Sequence, residues 1–503
     1  MAGEGLTETS IVPAAVFLLP MIAGAIVFAA TRWGRSWQQG ISILTAALIT
    51  GLSAWMAYRV MQGVVLTTWS GELRADALSA LMVVIIGGIG LLTAVYSGRY
   101  LEEHMTGDGA ARRTRIFYGL LMWFVGTMLW GCVTNNVIML YVAIEATTLT
   151  SGLLVAFYWD RRALEAGYKY LMLLTIGITF ALFGCVLLYA GAAATDKLAG
   201  ASALLISNIR NVAPFIPGGT AAITIAFLVI GFGTKAGIAP FHPWLPDAHA
   251  EAPAPISVLL SGVMIKMALY ALARTVSIFY PAWPQLTIFF VALGTFTMLL
   301  GIILALTQDD LKRLLAYSSV SQVGYVVVGI GLGTYLGCYG GLFHLLNHAI
   351  YKALLFMCVG AVMYATGARR ITELGGLRKQ MPITSACFFL GALALAGFPP
   401  LNGFWGKLTV YMALARAGLW WAAAIAIVVS ILTIVVMVRA AYRVFWGEQE
   451  SSRTSPSVVR EVPARMWAPM VFLGGMCALL GIYPQLPYPL LDRAAAVLAT
   501  LGK

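Results

Sequence analysis

The chain is predicted to be an all-α polytopic membrane protein of about fourteen spanning helices, two of them broken. Three observations predict this. Of its 503 residues, 60% are hydrophobic and 10% charged, against ~25% charged in soluble proteins. Apolar runs long enough to cross a bilayer recur along the whole length. Two of these runs are interrupted at membrane depth, one from Lys235 to His249 and one from Ala396 to Lys407. The ten-residue alternation of an outer-membrane barrel does not occur.

The expected spans are 11–30, 41–61, 76–97, 115–133, 136–158, 165–190, 220–240, 254–276, 284–306, 314–332, 336–365, 382–405, 417–444 and 467–485. Residues 1–10 contain two glutamates and no Lys or Arg. A cleaved signal peptide needs a basic start, so the first apolar segment is expected to remain. Residues 197–212 are expected to form an amphipathic surface helix. The Ser/Arg/Pro stretch 449–466 reads as a longer connection or a surface helix with a poor pattern.

The two breaks organise the chain into units. The first carries Lys235, then Pro240, Pro243 and Pro246, then His242, Asp247 and His249. The second, ~160 residues later, carries Pro399, Pro400 and Lys407. Each proline removes a backbone donor, and a broken helix in lipid survives only where it faces protein or water. Paired breaks in two halves point to a transport site. The expected organisation is 1–110 (first three spans), 111–280 (a five-span unit), 281–446 (a second five-span unit) and 447–503 (connection and last helix). Five is odd, so the two units would be inverted in the membrane.

Basic residues predict the orientation. Of the 32 Lys and Arg residues, nineteen fall in odd-numbered connections, among them Arg32, Arg112, Arg161, Arg162, Lys312, Arg369 and Arg453. Eight fall on the other side: Arg59, Arg74, Lys197, Arg210, Arg274, Arg416, Arg493 and Lys503. The bias puts odd connections in the cytoplasm and both termini outside, in the inner membrane of a bacterium. It also accounts for the net charge of +12 without nucleic acid.

The cysteines lie in or beside apolar segments, no CxxC pair occurs, and no glycine-rich stretch has the context of a nucleotide site. No cofactor, metal or redox centre is therefore expected. The 52 glycines suit close helix packing in lipid.

Five lysines, Lys169, Lys235, Lys266, Lys352 and Lys407, lie inside or at the mouths of apolar spans. Glu145 is also within a span, where a lone carboxylate costs ~2.5–3.5 kcal/mol or more on insertion scales and so must be protonated or paired. Burial disfavours an ammonium and a nearby carboxylate favours it, so a buried lysine beside a movable charge can hold or release a proton. Lys266 is too deep in its span to snorkel. Lys169 and Lys407 lie near span ends, where snorkelling or proton transfer both fit. His344, His348 and Lys352 recur every four residues and share one helical stripe, the pattern of a proton relay. Without a third ligand nearby in sequence, zinc is disfavoured. Asn347 is placed to hydrogen-bond either histidine. His242, Asp247 and His249 either admit protons or satisfy the broken backbone. Asp309, Asp310, Lys312 and Arg313 are expected to form a solvated turn.

These motifs resemble the antiporter-like, proton-translocating membrane subunits of respiratory complex I, multisubunit cation/proton antiporters and formate-hydrogenlyase-type hydrogenases. The most specific matches are Thr234-Lys235-Ala236-Gly237 through Trp244-Leu245-Pro246-Asp247-Ala248-His249, Lys312-Arg313-Leu314-Leu315-Ala316-Tyr317-Ser318-Ser319, and His344 through Lys352. The segments around Glu145 and Leu164–Tyr170 look most like the hydrogenase-4 component F. Lys266 and Lys407 instead match the complex I and cation-antiporter relatives. The resemblance implies fourteen helices with two inverted five-helix repeats. It also implies a Glu145–Lys235 pair, a link through Lys266 to His344 and His348, and Lys407 as terminal carrier. A proton-moving subunit with no redox centre of its own is therefore expected, driven by other membrane subunits and a soluble redox module. One alternative is membership of a sodium/proton antiporter. Another is the proton-conducting partner of an inorganic-carbon uptake complex with a soluble hydratase. A purely structural anchor is a third.

Overall fold

The computed structural model describes residues 6–31, 34–104, 109–195, 197–198, 200–448 and 459–499. Arg32, Arg453, Lys503, the first five residues and most of the 449–466 connection lie outside them. Short strand β1 (Leu6–Thr9) precedes α1 (Val12–Ala29) and α2 (Arg35–Met61). Strands β2 (Val64–Thr68) and β3 (Leu73–Ala75) follow, then α3 (Ala77–His104), α4 (Ala110–Val133), α5 (Val137–Val155) and α6 (Arg161–Ala193). β2 pairs parallel with β1 and antiparallel with β3, a small sheet capping one end of the bundle. The sequence reading did not anticipate it, because its strands are three to five residues long.

The expected surface helix at 197–212 is reduced to α7 (Ile206–Val212), with a 3₁₀ turn before it, and its apolar side is buried. Next come α8 (Gly218–Ala236), α9 (Trp244–Glu251), α10 (Ala254–Leu259) and α11 (Ile265–Val276). A π-helical turn, Leu260–Met264, joins α10 to α11 into one fully buried crossing. The second half holds α12 (Leu286–Leu306), α13 (Leu311–Gly331), α14 (Tyr335–Thr366), α15 (Pro382–Ala396), α16 (Asn402–Arg416), α17 (Trp420–Phe445), α18 (Ala464–Ile482) and α19 (Tyr488–Leu498).

Thirteen helices among the described residues are long and apolar enough to cross a membrane. At 382–405, where a broken crossing is expected, the shorter apolar helix α15 stops at its break and the chain continues as α16. The final helix, α19, was not anticipated; it buries Leu491, Ala494, Ala495 and Leu498 and exposes the opposite side.

Two breaks shape the interior in the same way. α8 ends at Gly237, whose φ is 74°. There the Ile238 N–H donates to Gly233 O (2.9 Å) and the Gly237 N–H to Thr234 O (3.1 Å). α15 ends at Gly397, φ 84°. There the Phe398 N–H donates to Leu393 O (3.0 Å) and the Gly397 N–H to Ala394 O (3.1 Å). Each is a Schellman-type stop that satisfies the last carbonyls and needs a residue tolerant of positive φ. Elsewhere glycine permits close approach. A Cβ on Gly301 of α12 would collide with the Ser321 backbone of α13, and one on Gly231 of α8 with the Ala181 backbone of α6.

Candidate functional site

The interior buries polar groups in three clusters, around Lys235, around Lys266 with the α14 histidines, and around Lys407. At one end stands Glu145. α5 is started by Asn136, whose side chain accepts from the Ile138 and Met139 N–H groups (2.9 and 3.2 Å). Glu145 is half-buried; one carboxylate oxygen accepts from Thr175 Oγ1 at 3.5 Å, and the other has no hydrogen-bond partner among the described residues. Lys235, in the last turn of α8, is buried, and its Nζ donates to Thr148 Oγ1 (2.8 Å). Thr148 lies one turn after Glu145 on α5. No direct ion pair joins Glu145 to Lys235 among the described residues. Lys235 is instead tied by its hydrogen bond to Thr148 to the helix that carries Glu145.

The centre is built around the π-helical turn. Lys266, wholly buried, donates from Nζ to Ser261 O of that turn. Such bulges widen the helix and concentrate at functional sites. Ser261 Oγ meets Ser319 Oγ of α13 at 2.8 Å. Lys352 Nζ donates to Leu315 O (2.7 Å) and Ser318 Oγ (2.5 Å), also on α13. His344 and His348 are fully buried on α14, their rings nearly parallel with centroids 6.2 Å apart. Their ring nitrogens have no hydrogen-bond partner among the described residues. Asn347 bonds neither; its Nδ2 donates to Asn402 O (2.9 Å) and so holds α14 to the start of α16.

The far end is Lys407. It does not snorkel: it is buried, and its Nζ donates to Leu395 O and Ala396 O, both at 3.0 Å. Those are the last carbonyls of α15, where the helix dipole favours a cation. Tyr325 of α13 fills the gap to the histidines. Its ring lies 5.3 Å from His344 and 5.1 Å beneath the Lys407 ammonium. Tyr325 OH donates to Ala426 O (2.5 Å). Sequence reasoning passed over it, although Ser318, Ser319, Ser321, Gln322 and Tyr325 form an unusually polar run inside an apolar span.

The residues past the first break separate. Asp247 joins a partly exposed cluster: it pairs with Arg313 at 2.5 Å and lies 3.9 Å from Lys169, which itself pairs with Glu165 at 2.7 Å. His242 is nearly buried beside Tyr317. His249 is fully buried and stacked on Phe356, centroids 4.7 Å apart. The solvated turn expected at 309–313 is not solvated throughout. Asp310 caps α13 and pairs with Arg369 (2.8 Å), while Lys312 is buried and donates to Ala252 O and Ala250 O. Free carbonyls beside the α9 end draw it inward.

At the opposite end of the bundle, Asp76 caps α3, accepting from the Leu78 and Ser79 N–H groups (both 3.1 Å). It also takes a two-pronged bond from Arg274 of α11. Burial works to raise the Asp76 carboxyl, but the Arg274 charge and hydrogen bond outweigh it and hold it below the usual carboxylate range.

Residues 134–433 match the family described as NADH:quinone oxidoreductase/Mrp antiporter, TM, and residues 68–112 match the complex I chain 5 N-terminus. NADH-quinone oxidoreductase subunit N of Desulforudis audaxviator is 33% identical over 83% of this chain and 83% of that protein. A hydrogenase-4 component F homolog of Methylacidiphilum infernorum is 33% identical over 68% of this chain and 73% of its own length. Among solved structures, a chain of the archaeal membrane-bound sulfane sulfur reductase superimposes with a TM-score of 0.87 at 27% identity, covering 97% of this chain and 98% of that one.

Proposed function

Because the chain belongs to the NADH:quinone oxidoreductase/Mrp antiporter family, we propose that its buried lysine and histidine line carries protons across the membrane. The chain is a multi-span, antiporter-like protein, and its relatives are subunits of multisubunit membrane assemblies. Other membrane subunits are thus its partners. The driving module is a soluble redox enzyme, the membrane is a bacterial inner membrane, and both termini face outward.

One observation carries the reading. Lys235, Lys266, His348, His344 and Lys407 are all buried, and no carboxylate is paired with any of them among the described residues. Such a set cannot be fully charged in a low-dielectric interior. Adding one proton at an end makes its neighbours easier to deprotonate. A change at Glu145 alters the field on Lys235 through Thr148. Lys235 then passes its proton towards Lys266, the imidazoles and Lys407. The two breaks, with their matching hydrogen bonds, support two related five-helix units, 111–280 and 281–446, with one half-channel each.

Lys235→Met tests this directly. In the assembled complex in sealed vesicles, proton transfer should fall by about tenfold or more, on the scale of a lost relay group, with assembly unchanged. Full pumping by that variant would sink the proposal. A sodium/proton exchange reading is favoured by one relative, a component of the Na(+)/H(+) antiporter of Alkalihalophilus pseudofirmus, 33% identical over 85% of this chain and 54% of its own length. Transport that requires sodium and persists without electron transfer would select it.

A further inference from the structure

The proton line leaves one large feature unused. At the end of the bundle that carries the small sheet lies a cavity of about 500 Å³. It opens among the ends of α2, α3 and α11, the α4–α5 connection, α7 and α19. Four arginines line it: Arg74, Arg210, Arg274 and Arg493. They are half of the eight basic residues on the side poor in positive charge, so the orientation bias does not explain them. They come from four separate stretches of the chain, and only the fold brings them together.

The charges around this cavity do not balance. Its only acidic lining residue among those described is Asp76, which is taken up by Arg274. Arg74, Arg210 and Arg493 have no ion pair and no side-chain hydrogen bond among the described residues. Arg210 and Arg493 are exposed at the cavity and Arg74 is half-buried. The Arg210 guanidinium is held down by desolvation and by the Arg274 charge, partly offset by Asp76, with Arg74 adding to it. A second observation is independent of charge. Thr134 lines the cavity, is 4% exposed, and its hydroxyl has no hydrogen-bond partner among the described residues. A buried hydroxyl left unpaired is destabilising. Three guanidiniums without a carboxylate partner and one idle buried donor suit a ligand rich in anionic oxygen.

We propose that this cavity is a binding site for a phosphate-bearing anion, held by Arg74, Arg210 and Arg493 with Thr134 as a neutral donor. Guanidinium forks match phosphate oxygens two at a time. Arg274, fixed by Asp76, supplies the floor of the positive field without needing to move. The volume exceeds a bare phosphate and falls in the usual range for organic ligands, ~300–1,000 Å³. The other wall is apolar, with Val60, Val65 and Val497. The site also lies where candidate membrane spans end. An anionic phospholipid presents this chemistry with an apolar body; free phosphate presents the same chemistry without one. Basic pockets between spans are a known mode of headgroup recognition.

The test uses the full chain, purified in mild detergent and stripped of lipid. Phosphatidylglycerol and phosphatidylcholine are added in parallel, and retained lipid is read by native mass spectrometry. Melting is followed in inorganic phosphate against chloride of equal ionic strength. The site predicts about tenfold preferential retention of phosphatidylglycerol, lost in Arg210→Gln and Arg493→Gln and kept in Arg416→Gln, an exposed arginine elsewhere on the same side. Retention of the lipid without a phosphate-specific shift identifies a headgroup, and a phosphate-specific shift alone identifies free phosphate; either supports the site. The wild-type measurements stand even if a variant fails to fold. Equal retention of both lipids together with no phosphate-specific shift overturns the proposal, as does retention unchanged in both cavity variants.

Discussion

Single polar residues here act twice, and Asp76 is the clearest case. Its carboxylate satisfies the free donors at the start of α3 and neutralises Arg274 of α11. The two roles are separable. Asp76→Asn keeps a good N-cap but removes the charge, leaving Arg274 buried and unpaired. Breaking a buried pair in that way costs about 3–5 kcal/mol, so the melting temperature in detergent should fall clearly. Loss of the cap alone would cost nearer ~1 kcal/mol. The pH dependence follows from the depressed carboxyl. Its stabilisation is complete above the ordinary carboxylate value and is lost as pH falls through the lower, folded value. Asp76→Asn should therefore flatten the acid limb of the stability profile; an unchanged acid limb would show that the pair contributes nothing. Thr148 works by the same economy of atoms, because one hydroxyl joins the Lys235 ammonium to the helix that carries Glu145.

The elements depend on close backbone approach more than on large apolar side chains. α12 meets α13 where Gly301 faces the Ser321 backbone, and there a side chain has no room. Gly301→Val should thus push the two helices apart and disturb Ser318, Ser319 and Tyr325 on α13, lowering folded yield in the membrane. Gly88→Ala is the matched control, since a Cβ there meets nothing within 4 Å. Equal yields for both variants would refute the packing argument. The spans themselves were legible in the sequence because hydrocarbon length is a one-dimensional constraint. Both breaks were legible too, since glycine and proline mark them locally. Where the reading failed, the cause was three-dimensional. The π-helical turn beneath Lys266 has no compositional mark. The buried position of Lys312 depends on free carbonyls sixty residues earlier in the chain. Tyr325 looked like one aromatic among many until α13 and α14 were set side by side. The convergence of Arg74, Arg210, Arg274 and Arg493 required the whole fold.

Across the whole molecule, charge is divided between two ends with different characters. One end holds linked pairs, Lys169 with Glu165, Arg313 with Asp247 and Arg369 with Asp310. The other holds the arginine cavity. Between them, Glu145 stands on a stripe shared with Leu149 and Leu153, which are 56% and 51% exposed. A neighbouring protein seated on that stripe would sit beside the one half-buried carboxylate of the line, which is how an outside event could reach Lys235. The direction of transport then depends on which end faces the cytoplasm. On the basic bias, the paired end is expected in the cytoplasm and the cavity outside. The native cysteines permit a clean test, because all six are buried and free and should resist a membrane-impermeant maleimide. A cysteine placed at Arg162 should label only when the cytoplasmic face is open to the reagent, and one at Arg416 should label in intact cells. The reverse pattern would invert the molecule. It would then put the arginine cavity on the cytoplasmic face and reverse the sense in which Lys235 and Lys407 serve as inlet and outlet.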